Sequence, residues 1–254
     1  MWPESDAMRR FAGVVLAGFL LVSAGCGDGG GSASRDGTTT VAASTVSPTA
    51  TVGDEQPLTL QLFLVDPSDH KLYAAQKEIE PTQAVGAAAL RALAEDPDSE
   101  VPPNLSLAIE NGAAKVTGSE LSPAALAQVV YTLTQFPTVN SVNGKTRKAV
   151  ESLVPAILVE SPTAESTVSN PVRVRGNANT FEATFEYDLE DENGKVLHHD
   201  FVTATSGSGE RGTFDFTIPF RVARQQEGTL VVYESSAENG SHINVRRIPL
   251  TLSP

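Results

Sequence analysis

The side chains able to do chemistry in this sequence are few and scattered. Asp188, Glu190, Asp191, Glu192 and Asn193 crowd around an Asn193-Gly194 turn, and oxygen ligands on a loop are what a hard cation such as calcium takes. The spacing of an EF-hand is missing, and the plainer reading is a solvated acidic turn. His198 and His199 are adjacent. On a strand, successive side chains point to opposite faces, so the two do not share a metal ion. His70 and His242 read as surface-loop residues. Glu182 and Glu186 would share a strand face but lie about 13 Å apart, too wide for most paired-carboxylate hydrolysis. They are expected on the wet face of a strand whose Phe181 and Phe185 point inward. Ser68, Ser122 and Ser236 lack a G-x-S-x-G elbow. Gly27, Gly29, Gly30 and Gly31 have no strand before them and no helix after, so they form no phosphate cradle. The expectation is a protein that is not an enzyme, with no catalytic residue, metal or cofactor.

One residue stands apart. Cys26 is the only cysteine, so no disulfide forms within the chain and no cysteine-rich zinc site exists. Before it come Arg9 and Arg10, an apolar run from Phe11 to Val22, then Ser23, Ala24 and Gly25. That run is too short for a permanent bilayer span. The pattern resembles a bacterial lipobox, in which the cysteine sulfur takes diacylglycerol before the chain is cut. Ser23 departs from the pattern, since leucine is usual there. The resemblance implies a signal peptide over 1–25, lipidation at Cys26 and a place on the extracytoplasmic face of the cell membrane. A signal peptide cut nearby, with Cys26 a spectator, is the alternative.

Beyond Cys26 the chain turns to Gly, Ser, Thr and Ala through Thr51, a composition that builds no core and reads as a flexible tether over 26–56. The formal net charge is -13. A protein this acidic lacks the concentrated basic patch that nucleic acid requires, and it is not held to anionic lipid by charge.

The elements begin at Leu58. Leu58, Leu60, Leu62 and Leu64 alternate along a strand, and Leu72 to Glu80 form a second. Pro81-Thr82 opens a helix with Val85, Ala89, Leu90 and Leu93 on one side, ending near Asp96-Pro97. Leu105–Ile109 and Ala113–Thr117 flank the hairpin turn Asn111-Gly112. Ser122-Pro123 caps a second helix with Leu126, Val129, Val130 and Leu133 inward. Pro137 stops it before a short strand over Thr138–Val142. The order β-β-α-β-β-α-β is a small α/β (α+β) domain over 57–145.

The stretches LTLQLFLV, AALRALAEDP, ENGAAKV and VVYTLTQFPTVNSV resemble the sporulation and spore germination domain found in bacterial germination lipoproteins. The chain departs at Val142, where relatives continue the strand but this one meets Asn143-Gly144. Residues 146–156 read as a mixed-charge connector.

From Ile157 to Pro254 the pattern is all-β. Val172 and Val174 share a face. Phe181, Ala183, Phe185, Tyr187 and Leu189 alternate up to the Asn193-Gly194 turn. Phe201–Thr205, Thr213–Ile218, Thr229–Tyr233 and Ile243–Leu252 supply further strands, making seven in about a hundred residues, as in an immunoglobulin-like sandwich. ESPTAESTVSNPVRVRGNANTFEATFEYDLEDENGKVL, GTFDFTIPF and GTLVVYESSAENGSHINVRRIPLTL resemble the immunoglobulin-like domain of bacterial spore germination. The two resemblances imply a non-enzymatic envelope lipoprotein that binds or scaffolds another envelope protein or a cell-wall component. A free sheet edge is one way to do so. The alternatives are a peptidoglycan- or glycan-binding lipoprotein, for which Tyr73, Tyr131, Tyr187 and Tyr233 are the aromatics to inspect, and an envelope hydrolase.

Overall fold

The computed structural model describes residues 56–254. Cys26, the signal segment and the tether through Glu55 lie outside the described residues.

β1 (Leu58–Val65) and β2 (Leu72–Ile79) form an antiparallel pair, with Leu58 opposite Ile79 and Val65 opposite Leu72. α1 (Val85–Glu95) follows. It starts later than Pro81 because the Ala84 N–H donates to Thr82 Oγ1 at 3.1 Å, a local turn that competes with helix. β3 (Ser106–Glu110) and β4 (Ala113–Thr117) make the expected hairpin. α2 (Pro123–Leu133) begins where the sequence places it: Ser122 Oγ accepts from the Ala125 N–H at 3.0 Å and Pro123 fills the first position. β5 is only Ser141–Val142, parallel to β4. The strand expected over Thr138–Val142 is thus shorter still.

α2 is the centre of this domain. Every residue from Ala127 to Leu133 is buried, so the helix is enclosed on all sides rather than striped. Val129, Val130 and Leu133 are buried as expected, whereas Leu126 is half-buried.

The second domain is a sandwich of two sheets. β6 (Ile157–Ser161), β8 (Val172–Ala178) and β11 (Gly212–Ile218) form one, in the order β11-β8-β6. β7 (Thr167–Ser169), β9 (Thr184–Asp191), β10 (Val196–Thr203), β12 (Gln226–Ser235) and β13 (His242–Ser253) form the other, in the order β10-β9-β12-β13-β7. Phe185, Tyr187 and Leu189 of β9 face Val174, Phe214 and Ile218 in the shared core, following the period of two. Phe181 breaks the expected alternation. Phe181–Ala183 is a 3₁₀ turn in which Glu182 and Ala183 have positive φ, and Phe181 is 71% exposed. The strand starts only at Thr184, so Glu182 and Glu186 do not share a strand face.

The two domains are fused through β6. Ile157 and Val159 point into the sandwich core, while Leu158 is buried in the core of the first domain. At Gly176 an added Cβ would lie 2.0 Å from the Leu158 carbonyl oxygen and 2.6 Å from the Phe214 ring, so only glycine lets β8 pass this close to β6. The connector is ordered as a 3₁₀ turn, Arg147–Leu153, and Val150 and Val154 join the first core. The described residues, 56–254, accordingly lie in one compact unit.

Candidate functional site

Three arginines fasten the two domains. Arg147 donates from Nε to Thr134 Oγ1 at 2.9 Å and from Nη1 to Glu160 Oε1 at 3.0 Å. Its guanidinium lies 4.5 Å from the Tyr131 ring centre and 5.6 Å from that of Phe63, a stacking geometry suited to a delocalised cation. Arg211 reaches the Pro155 carbonyl at 2.8 Å and Asn177 Oδ1 at 2.8 Å. Its Nε is buried and lies 3.4 Å from Glu151 Oε1, an ion pair without hydrogen-bond alignment. Arg246 of β13 pairs with Asp66 and Asp69 in the β1–β2 turn, at 3.5 and 2.5 Å. The Ser68 hydroxyl, bonded to Asp66 Oδ1, holds the Asp66 carboxyl below its ordinary range, with Arg246 adding to the effect.

A polar cleft of about 1050 Å³ opens beside Arg147 and Arg211 at this junction. Its two aromatics, Tyr131 and Phe214, are buried and offer no face for a sugar to stack on. Arg147, Arg211, Glu151 and Glu160 are spent on the fastening.

The strand edges differ. The outer edge of β1 is closed by side chains and loops: Thr132 Oγ1 accepts from the Phe63 N–H at 3.1 Å, Gln135 Nε2 donates to the Gln61 carbonyl at 2.7 Å, and the Val65 N–H donates to the Asp98 carbonyl at 3.0 Å. β10 is different. It pairs with β9 alone and ends its sheet. Its Val196 and Phe201 are 45% and 63% exposed, two of the few large apolar side chains left in solvent among the described residues.

Residues 61–145 match the family model described as "Sporulation and spore germination". Residues 156–241 match the one described as "Immunoglobulin-like domain of bacterial spore germination". The chain carries these two germination domains, in that order. Neither is a known catalytic family. No curated protein matches significantly. Among solved structures, "The crystal structure of CopC from Methylosinus trichosporium OB3b" shows 15% identity, covering 37% of this chain and 88% of that one at a TM-score of 0.26, too low to bear on fold or function.

In the germination immunoglobulin-like domain the acidic residues separate. Asp188 meets His199 Nδ1 at 2.7 Å, Glu190 meets Arg247 at 3.0 Å, Glu192 meets Arg224 at 2.6 Å, and Asp191 Oδ1 accepts from the Asn193 and Lys195 N–H groups within the turn. Among the described residues no three His, Cys, Asp or Glu side chains converge on a metal position. His198 and His199 face opposite ways as expected: His198 stacks on the core residue Tyr187, His199 lies on the outer face. His242 belongs to β13 and stacks on Tyr233 at 3.7 Å, not to a loop. Burial, with Asp188 and Glu186 nearby, pushes the Tyr233 hydroxyl up to about 12. Tyr131, Tyr187 and Tyr233 are buried, and the half-buried Tyr73 donates to Asp98 at 2.8 Å, so none stands as an exposed sugar platform. Ser68 and Ser236 hold turns and Ser122 caps α2.

The sequence reading passed over Thr132, Gln135, Arg147, Arg211 and Arg246. Thr132 on apolar α2 and Gln135 in the turn just after it were the available signal for the covered β1 edge. The arginines act through pairs distant in sequence and carry no local pattern.

Proposed function

We propose that this chain is a non-enzymatic envelope lipoprotein, held at the extracytoplasmic face of a cell membrane through Cys26, that scaffolds a protein partner by accepting a strand at β10. The observation that carries the reading is the outer edge of β10, which has no strand partner and on which the Phe201 N–H is held only by the neighbouring Asp200 Oδ1 at 2.9 Å, with Val196 and Phe201 exposed. Main-chain groups at such an edge give affinity, and alternate side chains give selectivity. The domain pair supports a role linked to sporulation or germination. The rigid fastening through Arg147, Arg211 and Leu158 suits a scaffold, because it fixes the edge relative to the first domain. The lack of an exposed aromatic in the junction cleft favours a protein partner over a glycan.

The test is carried out in a related bacterial host, with the chain exported by its own signal. A photo-crosslinking residue replaces Phe201 or, as a control, the β11 residue Asp215. Capture of a discrete protein from Phe201 and not from Asp215 is expected, with Cys26→Ala releasing the chain from the membrane fraction. A Cys26→Ala form that stays membrane-bound defeats the anchor. Retention of cell-wall fragments with no protein captured from Phe201 replaces the scaffold with the glycan-binding alternative.

A further inference from the structure

We infer that the strand β10 accepts is β10 of a second copy of this chain, the two sandwiches joining into one continuous sheet about a two-fold axis. The inference rests on the strand-addition reading and names its partner.

When two identical strands pair antiparallel about a two-fold axis, opposed residues must share a sheet face, so the axis passes through a residue and not between two. In β10, His198, Asp200 and Val202 lie opposite the core residues Leu189, Tyr187 and Phe185, while His199, Phe201 and Thr203 lie opposite Asp188, Glu186 and Thr184 on the outer face. An axis at Asp200 would set that carboxylate against its own copy. An axis at His198 would set Asp200 against Val196. An axis at Phe201 would set Asp200 against Val202. An axis at His199 keeps Asp200 away from its own copy and from Val196 and Val202, and it sets the two His199 rings opposite each other, each beside its own Asp188. His198 of each copy then faces Asp200 of the other, twice, and Phe201 faces the bulge at Val196–Leu197, where the β9 pairing shifts register. The exposed apolar residues thus meet each other, and His198 and Asp200, which can hydrogen-bond, meet in reciprocal pairs, both favourable across strands. The resulting contact is isologous, as closed dimers require.

The β11 edge does not behave this way. β11 has Asp215 at its centre, bonded in bidentate fashion to Arg173, and a two-fold axis there sets Asp215 against itself. The outer face of β6 is occupied by the first domain through Leu158.

A single strand pair buries less than the roughly 1,200 Å² of a stable complex. The dimer is therefore weak in dilute solution and forms where chains are held at high local concentration.

The test keeps the full chain, in membranes of a bacterial host. His199→Cys places one thiol on the axis, where opposed Cα atoms lie about 4.5–5.5 Å apart, within disulfide reach. Thr217→Cys on β11 is the control. Mild oxidation, with the bond mapped by mass spectrometry, is expected to give a 199–199 disulfide at about ten times the control yield or more. Adding Asp200→Lys should lower that yield roughly tenfold, since two attractive pairs are lost. Exchanging the pair, His198→Asp with Asp200→His, should restore it, which separates pairing from any fault in folding. Equal yields at positions 199 and 217, or no rescue by the exchange, overturns self-pairing. If the 199–199 bond does not form while a photoprobe at Phe201 captures a different protein, self-pairing falls and strand addition stands. If neither forms, both fall.

Discussion

β1 and β10 are strands of equal length with opposite surroundings. β1 buries Leu60, Leu62, Phe63, Leu64 and Val65, and its outer edge is closed by Thr132, Gln135 and the Asp98 carbonyl. β10 leaves Val196 and Phe201 in solvent and its outer edge without a strand partner, only the Phe201 N–H being taken, by the adjacent Asp200 carboxylate. The chain therefore protects an edge with dedicated side chains in one place and leaves an edge of the same length open in another. Edges left open invite pairing. The contrast marks β10 as a surface for association and β1 as part of the fold.

Substitutions test this contrast directly. The largest effect is expected from Phe63→Ala, which removes a ring with no exposed surface, packed edge-on against Tyr131 at 5.2 Å. The cost should be about 3–5 kcal/mol in chemical denaturation. Thr132→Val keeps the volume of a fully buried side chain but strands the Phe63 N–H. A loss of about 1–3 kcal/mol is expected, with Thr132→Ser much closer to the parent. Gln135→Ala, which frees the carbonyls of half-buried Gln61 and buried Thr132, should cost about 1 kcal/mol.

The turn that leaves β1 adds a pH dependence. Because the Asp66 pKa is lowered in the folded state, chiefly by Ser68, its contribution is present above the ordinary carboxylate pKa and is lost as pH falls through the lowered value. The group is largely solvated, so the loss is small. Ser68→Ala should flatten the acid side of the stability profile measured by thermal melting. The smallest effect belongs to β10: Phe201→Ser should change monomer stability by no more than about 0.5 kcal/mol. A loss at Phe201 as large as that at Phe63 would erase the distinction between the strands.

Much of the fold was legible because it rests on local patterns. Ser122-Pro123 announced α2, Asn111-Gly112 announced the β3–β4 hairpin, and the leucine alternation announced β1. Misreadings came where a local pattern met tertiary context. Phe181 continued the Phe185–Tyr187–Leu189 alternation in sequence, yet the chain turns at Glu182 and Ala183, and the Phe181 N–H is held by Glu234 at 2.9 Å. The mixed-charge connector over 146–156 does form a helical turn, but only the packing shows that Val150 and Val154 seat it in the first core.

By itself, the sequence determined the order of elements, the two family resemblances, the lack of a disulfide within the chain, and the alternation that builds each sheet. These follow from residue types and spacings within a few positions of one another. Only the tertiary structure decided that Leu158 serves the neighbouring core, that Arg147, Arg211 and Arg246 clamp the domains, and that the β1 edge is closed while the β10 edge is open. Whether a strand has a neighbour depends on contacts between residues far apart in the chain, such as Phe63 with Thr132 or Asp66 with Arg246. No local periodicity encodes those contacts.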